Sequence, residues 1–142
     1  MSRAPPWIDV TEEAVPAEVE ALIDGVKAFN RPFCGDGDRR RLSALARDAG
    51  GLAGGVAGRT IYGHFLIDVV WVREDLRGSG LGRRLMQAAE AEARRRGCRA
   101  SQVDTLSFQG LGFYQRLGFR VVGRVNDFPV GHARYFLLKD YA

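Results

Sequence analysis

Cysteine is scarce in this chain of 142 residues: Cys34 and Cys98 are too few for a disulfide framework, and a metal site would lack ligands at usable spacing. Two reduced thiols fit a cytoplasmic location, which is the compartment expected, and no metal is expected. Long apolar runs are missing as well. No stretch approaches the roughly 18 apolar residues that span a bilayer, so no membrane partner is expected. The opening Met1-Ser2-Arg3-Ala4-Pro5-Pro6-Trp7 has no such run behind its positive residue and does not read as a secretory signal. No internal repeat is visible, which excludes a solenoid or propeller. Dense basic tracts are limited to Arg39-Arg40-Arg41 and Arg94-Arg95-Arg96. Neither is interleaved with aromatics as single-strand binding would require, so nucleic acid is not an expected partner.

What is present is an ordinary globular composition, 46% apolar and 27% charged, which argues against disorder. Residues 1–142 are expected to form a single domain with one core, since no shift in composition marks a linker. The net charge of +4 suits a polyanionic ligand better than a polycationic one.

Hydrophobic spacing predicts a helix over 16–29, with Pro16 in its first turn and Val19, Leu22, Ile23 and Val26 on one face. Gly35-Asp36-Gly37-Asp38 breaks it. Strands are predicted over 39–47 and 52–60, the second weakened by its glycines, as a hairpin. Phe65 to Val72 is apolar on both alternating sets, which predicts a central strand buried on two faces. A long helix follows, with Leu81, Leu85, Ala88, Ala89 and Ala93 on its inner face, basic residues in its last turn and Gly97 beyond. A strand at 100–106, a short helix at 110–117, and two closing strands at 119–125 and 133–139 complete the order. This sequence of elements predicts an α/β fold: a mixed, mostly antiparallel sheet flanked by helices.

The chemistry gathers at Arg77-Gly78-Ser79-Gly80-Leu81-Gly82, between a buried strand and an amphipathic helix. Backbone N–H groups at a helix start lack internal partners, glycine lets the chain approach a diphosphate, and the helix dipole favours negative charge. Arg77 adds a charged fork. The spacing matches neither a P-loop nor a dinucleotide-binding turn. By itself, this segment supports either an anion site or a tight turn without a ligand.

Two segments together decide between those readings. Val72-Arg73-Glu74-Asp75-Leu76-Arg77-Gly78-Ser79-Gly80-Leu81-Gly82 resembles the acetyl-CoA signature of Gcn5-related N-acetyltransferases. About 30 residues on, Ser107-Phe108-Gln109 and Gly112-Phe113-Tyr114-Gln115-Arg116-Leu117-Gly118-Phe119 resemble the short helix and Tyr-x-x-x-Gly-Phe that complete the family's cofactor cleft. The resemblance covers about residues 38–140, with an acetyl-CoA-binding core over about 63–125. It implies a strand splayed from its neighbour, with backbone groups of Val70, Trp71 and Val72 on the pantetheine and thioester. It also implies Arg77, Gly78, Ser79, Gly80, Leu81 and Gly82 on the pyrophosphate, and a primary amine, on a small molecule or a peptide, as acceptor. Many members carry asparagine where this chain has Ser107, so a cofactor contact there departs from the pattern. Dimers are common in the family, and a homodimer is a further expectation from the resemblance.

Acyl transfer needs a proton removed from the amine and a departing thiolate stabilised. Tyr114 is the candidate acid, since a phenol beside the sulfur can donate to a thiolate; its alternative role is packing under the cofactor. Asp68, a carboxylate in an otherwise apolar strand, is the candidate base, the alternatives being a carboxylate that binds a cationic substrate or faces solvent. Asp127 and His132 lie on the loop between the last two strands, where the resemblance implies substrate contacts, the alternative being a surface-loop histidine without a role. An acyl-CoA-binding module without catalysis is the alternative to an enzyme.

Overall fold

Pro16 opens the first helix at a position where no backbone N–H is needed, and α1 then runs through Pro16–Cys34. The computed structural model describes residues 3–142, which gather into two units, one ending at Asp36 and one spanning Gly37–Ala142. Within the first unit, α1 extends beyond the predicted end at residue 29, and Phe29 and Phe33, one turn apart, bring their rings to 6.1 Å. It ends at Gly35, which adopts φ 63° and donates its N–H to the Arg31 carbonyl at 2.9 Å.

The second unit is one six-stranded sheet with two helices. Its strands are β1 (Arg40–Asp48), β2 (Gly51–Ile61), β3 (His64–Val72), β4 (Ala100–Leu106), β5 (Arg120–Asn126) and β6 (Ala133–Asp140), in spatial order β1-β2-β3-β4-β6-β5. All neighbours are antiparallel except β3 and β4, which are parallel and joined through α2 (Leu81–Arg95). A short α3 (Leu111–Arg116) links β4 to β5. The predicted order of elements and the mixed sheet are those observed.

α2 packs on β1, β2 and β3. It buries Leu85, Met86, Ala89 and Ala93, so Met86 rather than the expected Ala88 completes the inner face. Val56, Phe65 and Leu137 are fully enclosed beneath, each contributing roughly 1.5–3 kcal/mol from burial. Cys98 packs into the same core.

The predicted hairpin of β1 and β2 forms, and one glycine of β2 has a steric role: a Cβ at Gly58 would lie 2.0 Å from the Leu66 carbonyl oxygen, so the close pairing of β2 with β3 needs glycine there. One expectation fails: β3 is not buried on both faces. Phe65 and Ile67 are enclosed, but Asp68, Val69 and Trp71 are exposed, because β4 does not accompany β3 along its second half.

Candidate active site

The site begins with a bulge. Ala57 of β2 pairs with Val69 and Gly58 with Ile67, leaving Asp68 as the extra residue of β3. A bulge bends its strand and sharpens its twist. Pairing of β3 with β4 ends just before it, at Leu66 and Gln102, while β3 continues to Val72 and β4 to Leu106. The diverging strands open a cleft of about 690 Å³, lined by Asp68 to Val72 on one side, Val103 to Leu106 on the other, and Phe113 and Tyr114 from α3. Among the described residues, the backbone of β3 has no ladder partner on that side beyond Leu66.

At the mouth of the cleft a single 3₁₀ turn, Glu74–Leu76, leads into the glycine turn. Gly78 and Gly80 take φ 77° and 87°, conformations that side-chain-bearing residues rarely adopt, and Gly80 is the N-cap of α2. A second cavity of about 360 Å³ lies here, lined by Gly78, Gly80, Leu81 and Gly82 together with Arg77, Arg83 and Arg116. Three arginines and a helix N-terminus border this space, a setting for a polyanion. Arg77 also donates from Nε to the Val72 carbonyl at 3.0 Å, fixing the end of β3. Ser79 turns away: its hydroxyl and its backbone N–H both donate to the Leu76 carbonyl.

Tyr114 is buried and lines the central cleft, held edge-on by Phe113 and Phe119 at 5.3 and 5.6 Å. Burial, with a smaller contribution from the Asp104 carboxylate, pushes its phenol up to about 12. It therefore keeps its proton throughout the neutral range. Asp68 lines the same cleft and is ion-paired with Arg59 of β2, Nη1 to Oδ1 at 2.8 Å.

Ser107, Asp127 and His132 lie elsewhere, lining a separate surface cavity of about 530 Å³. The Ser107 hydroxyl accepts the Ala133 N–H at 3.1 Å and sits 3.3 Å from Nδ1 of His132, so it ties the end of β4 to the start of β6. The Asp127 N–H donates to the His132 carbonyl at 2.8 Å, and its carboxylate accepts the Gly131 N–H at 3.3 Å, shaping the loop. From that loop it is Phe128 that reaches the central cleft. Residues not singled out from sequence also contribute. Asp104 and Arg134 both line the cleft and pair with each other at 2.9 Å. A further cavity of about 490 Å³, lined by Arg59, His64, Gln102 and Phe136, shares Asp68, Val103 and Asp104 with the cleft, so the two meet at the split between the strands. Among the described residues no group of three or more His, Cys, Asp or Glu is placed to hold a metal ion.

Comparison with known proteins agrees with this geometry. The model of the acetyltransferase (GNAT) family matches residues 7–119. The chain is 44% identical over 94 residues to blasticidin-S acetyltransferase of Streptomyces morookaense, covering 66% of this chain and 69% of that protein. It is 33% identical over 134 residues to an acetyltransferase of Agrobacterium fabrum, covering 93% and 98%. The crystal structure of an acetyltransferase from Bacillus cereus superposes with a TM-score of 0.83 at 32% identity, covering 93% of this chain and 97% of that one. With a matching family model over most of its length, relatives along nearly all of it, and a sheet split beside a glycine turn, this chain belongs to the GNAT family of acetyltransferases.

Proposed function

We propose that the protein transfers an acetyl group from acetyl-CoA to a primary amine, with the donor entering between β3 and β4. The observation that carries this reading is the early end of the β3–β4 pairing, which frees the backbone of Val69 to Val72 beside Tyr114 and within reach of the glycine turn. The amide groups of a pantetheine arm can add to that edge as an extra strand would. Its diphosphate meets the Gly78–Gly82 backbone and the guanidinium groups of Arg77, Arg83 and Arg116.

In the reaction a C–N bond forms, the C–S bond breaks, the amine gives up a proton, and CoA leaves as the thiol. Backbone N–H groups of the freed segment of β3 stabilise the oxyanion. Tyr114 hydrogen-bonds the departing sulfur. A phenol held near 12 lies roughly 3.5 pH units above a reference thiol, so it stabilises the thiolate by donation while the net proton comes from the amine. Asp68, at the bulge, receives the ammonium and passes its proton on. The free thiols of Cys34 and Cys98 support a cytoplasmic setting.

The test is amine-dependent release of CoA thiol from acetyl-CoA, followed with a thiol reagent across amino acids, peptides, polyamines and aminated antibiotics that include blasticidin S. Release with at least one amine is expected. No release from any of them, with acetyl-CoA still raising the melting temperature, would leave a binding module and overturn the enzymatic reading.

A further inference from the structure

We propose that the acceptor carries a carboxylate beside its amine, with Arg134 receiving the carboxylate and Asp68 the amine; this rests on the acetyltransferase reading above. The two strands that part to form the cleft each carry an ion pair at the split. Arg59 holds Asp68 on the β3 side at 2.8 Å, and Arg134 holds Asp104 on the β4 side at 2.9 Å. Asp68 and Asp104 line both the central cleft and the adjoining cavity, with Arg134 lining the cleft and Arg59 the adjoining cavity, so the pairs stand on either side of the split. Two anions are thus balanced by two cations, and a polycation would meet no excess of negative charge there. A molecule carrying both signs can exchange partners with the resident pairs.

Arg134 is built as a receptor for a planar anion. Its guanidinium lies over the Phe136 ring at 4.7 Å and near the Phe128 ring at 5.6 Å, which fixes its plane before any ligand arrives. Among the described residues its hydrogen bond goes through Nη2 to Asp104 Oδ2, leaving further N–H groups of the fork to be satisfied by water or a ligand. Phe128 lines the cleft with it and offers an apolar wall. Asp68 stands across the split, adjacent in sequence to the freed backbone that faces the thioester. An amine placed at Asp68 is therefore positioned for attack while its carboxylate is held from the opposite strand.

The experiment uses matched sets: amino acids, ω-amino acids and dipeptides as free acids, their methyl esters, and the corresponding amines without the carboxyl group, with spermine and kanamycin as polycations. CoA release gives kcat/KM for each. The best free acid is expected to exceed its ester by about tenfold or more. Arg134→Gln should bring that ratio to within about twofold of one. Arg134→Lys, which keeps the charge but not the fork, should retain part of the preference and decides the matter if the glutamine variant does not fold. Esters or polycations that turn over as well as the free acids overturn the proposal and leave the acetyltransferase reading intact, as does an acid preference that survives Arg134→Gln. Absence of release from every compound, with acetyl-CoA still stabilising the fold, overturns both.

Discussion

Replacing Gly58 by alanine tests whether the bulge at Asp68 builds the cleft. The new Cβ would stand 2.0 Å from the Leu66 carbonyl oxygen and 3.0 Å from both the Leu66 carbonyl carbon and the Ile67 Cα. All three are backbone atoms, so no side chain can swing aside. Relief requires β2 and β3 to separate by roughly 1 Å, which places the loss at the upper end of overpacking costs, roughly 3 kcal/mol. For a chain of this length that corresponds to a melting temperature lower by roughly 10 °C. Because the displaced segment carries Asp68 and leads into the freed backbone of β3, turnover should fall by about a hundredfold in the protein that remains folded. Gly25→Ala in α1 is the contrast: a glycine inside a helix, where alanine should stabilise by roughly 0.5–1 kcal/mol. Urea unfolding and CoA release on both variants make the check. A Gly58→Ala protein with the parental midpoint and parental rate would refute the link between the bulge and the site.

Tyr114→Phe should lower kcat by roughly a hundredfold with the KM for acetyl-CoA nearly unchanged, as steady-state kinetics would reveal; an unaltered kcat removes the phenol from the chemistry. Gly80→Ala, forcing a side chain into φ 87°, should raise the dissociation constant for acetyl-CoA by about tenfold or more in a calorimetric titration, with an unchanged constant counting against the turn as the diphosphate site. Tyr114 and Tyr141 are both pushed up to about 12 by burial from a reference of 10.0, so each binds its proton more tightly folded than unfolded. Their stabilising contribution is complete below pH 10 and is lost as pH rises from there to about 12, roughly 2–3 kcal/mol for Tyr114, and denaturant midpoints measured over that window should fall.

Periodicity and turn residues were enough to order the elements, and β4 occupies Ala100–Leu106, the range predicted for it. They failed where the answer depends on a partner. The apolar second half of β3 looks like a doubly buried strand, but Val69 and Trp71 face the cleft, and nothing local reveals that β4 departs after Gln102. The bulge at Asp68 is a matter of register with β2, visible in sequence only as the unexplained Gly58. Arg134 escaped notice because its partner Asp104 lies on another strand and its stacking rings, Phe128 and Phe136, are ordinary core-forming types. Ser107 and His132 stand out by their places in the family pattern, and sequence alone does not reveal that their hydrogen bonds join β4 to β6.

The central claim, that the donor lies in the split between β3 and β4 with its diphosphate on the glycine turn, is tested most directly by titrating acetyl-CoA into isotopically labelled protein and following backbone amide resonances. The largest changes should fall on Val69 to Val72 and Gly78 to Gly82, with Tyr114 among the affected residues. Changes confined to the loop carrying Asp127 and His132, or none at all at saturating acetyl-CoA, would contradict it.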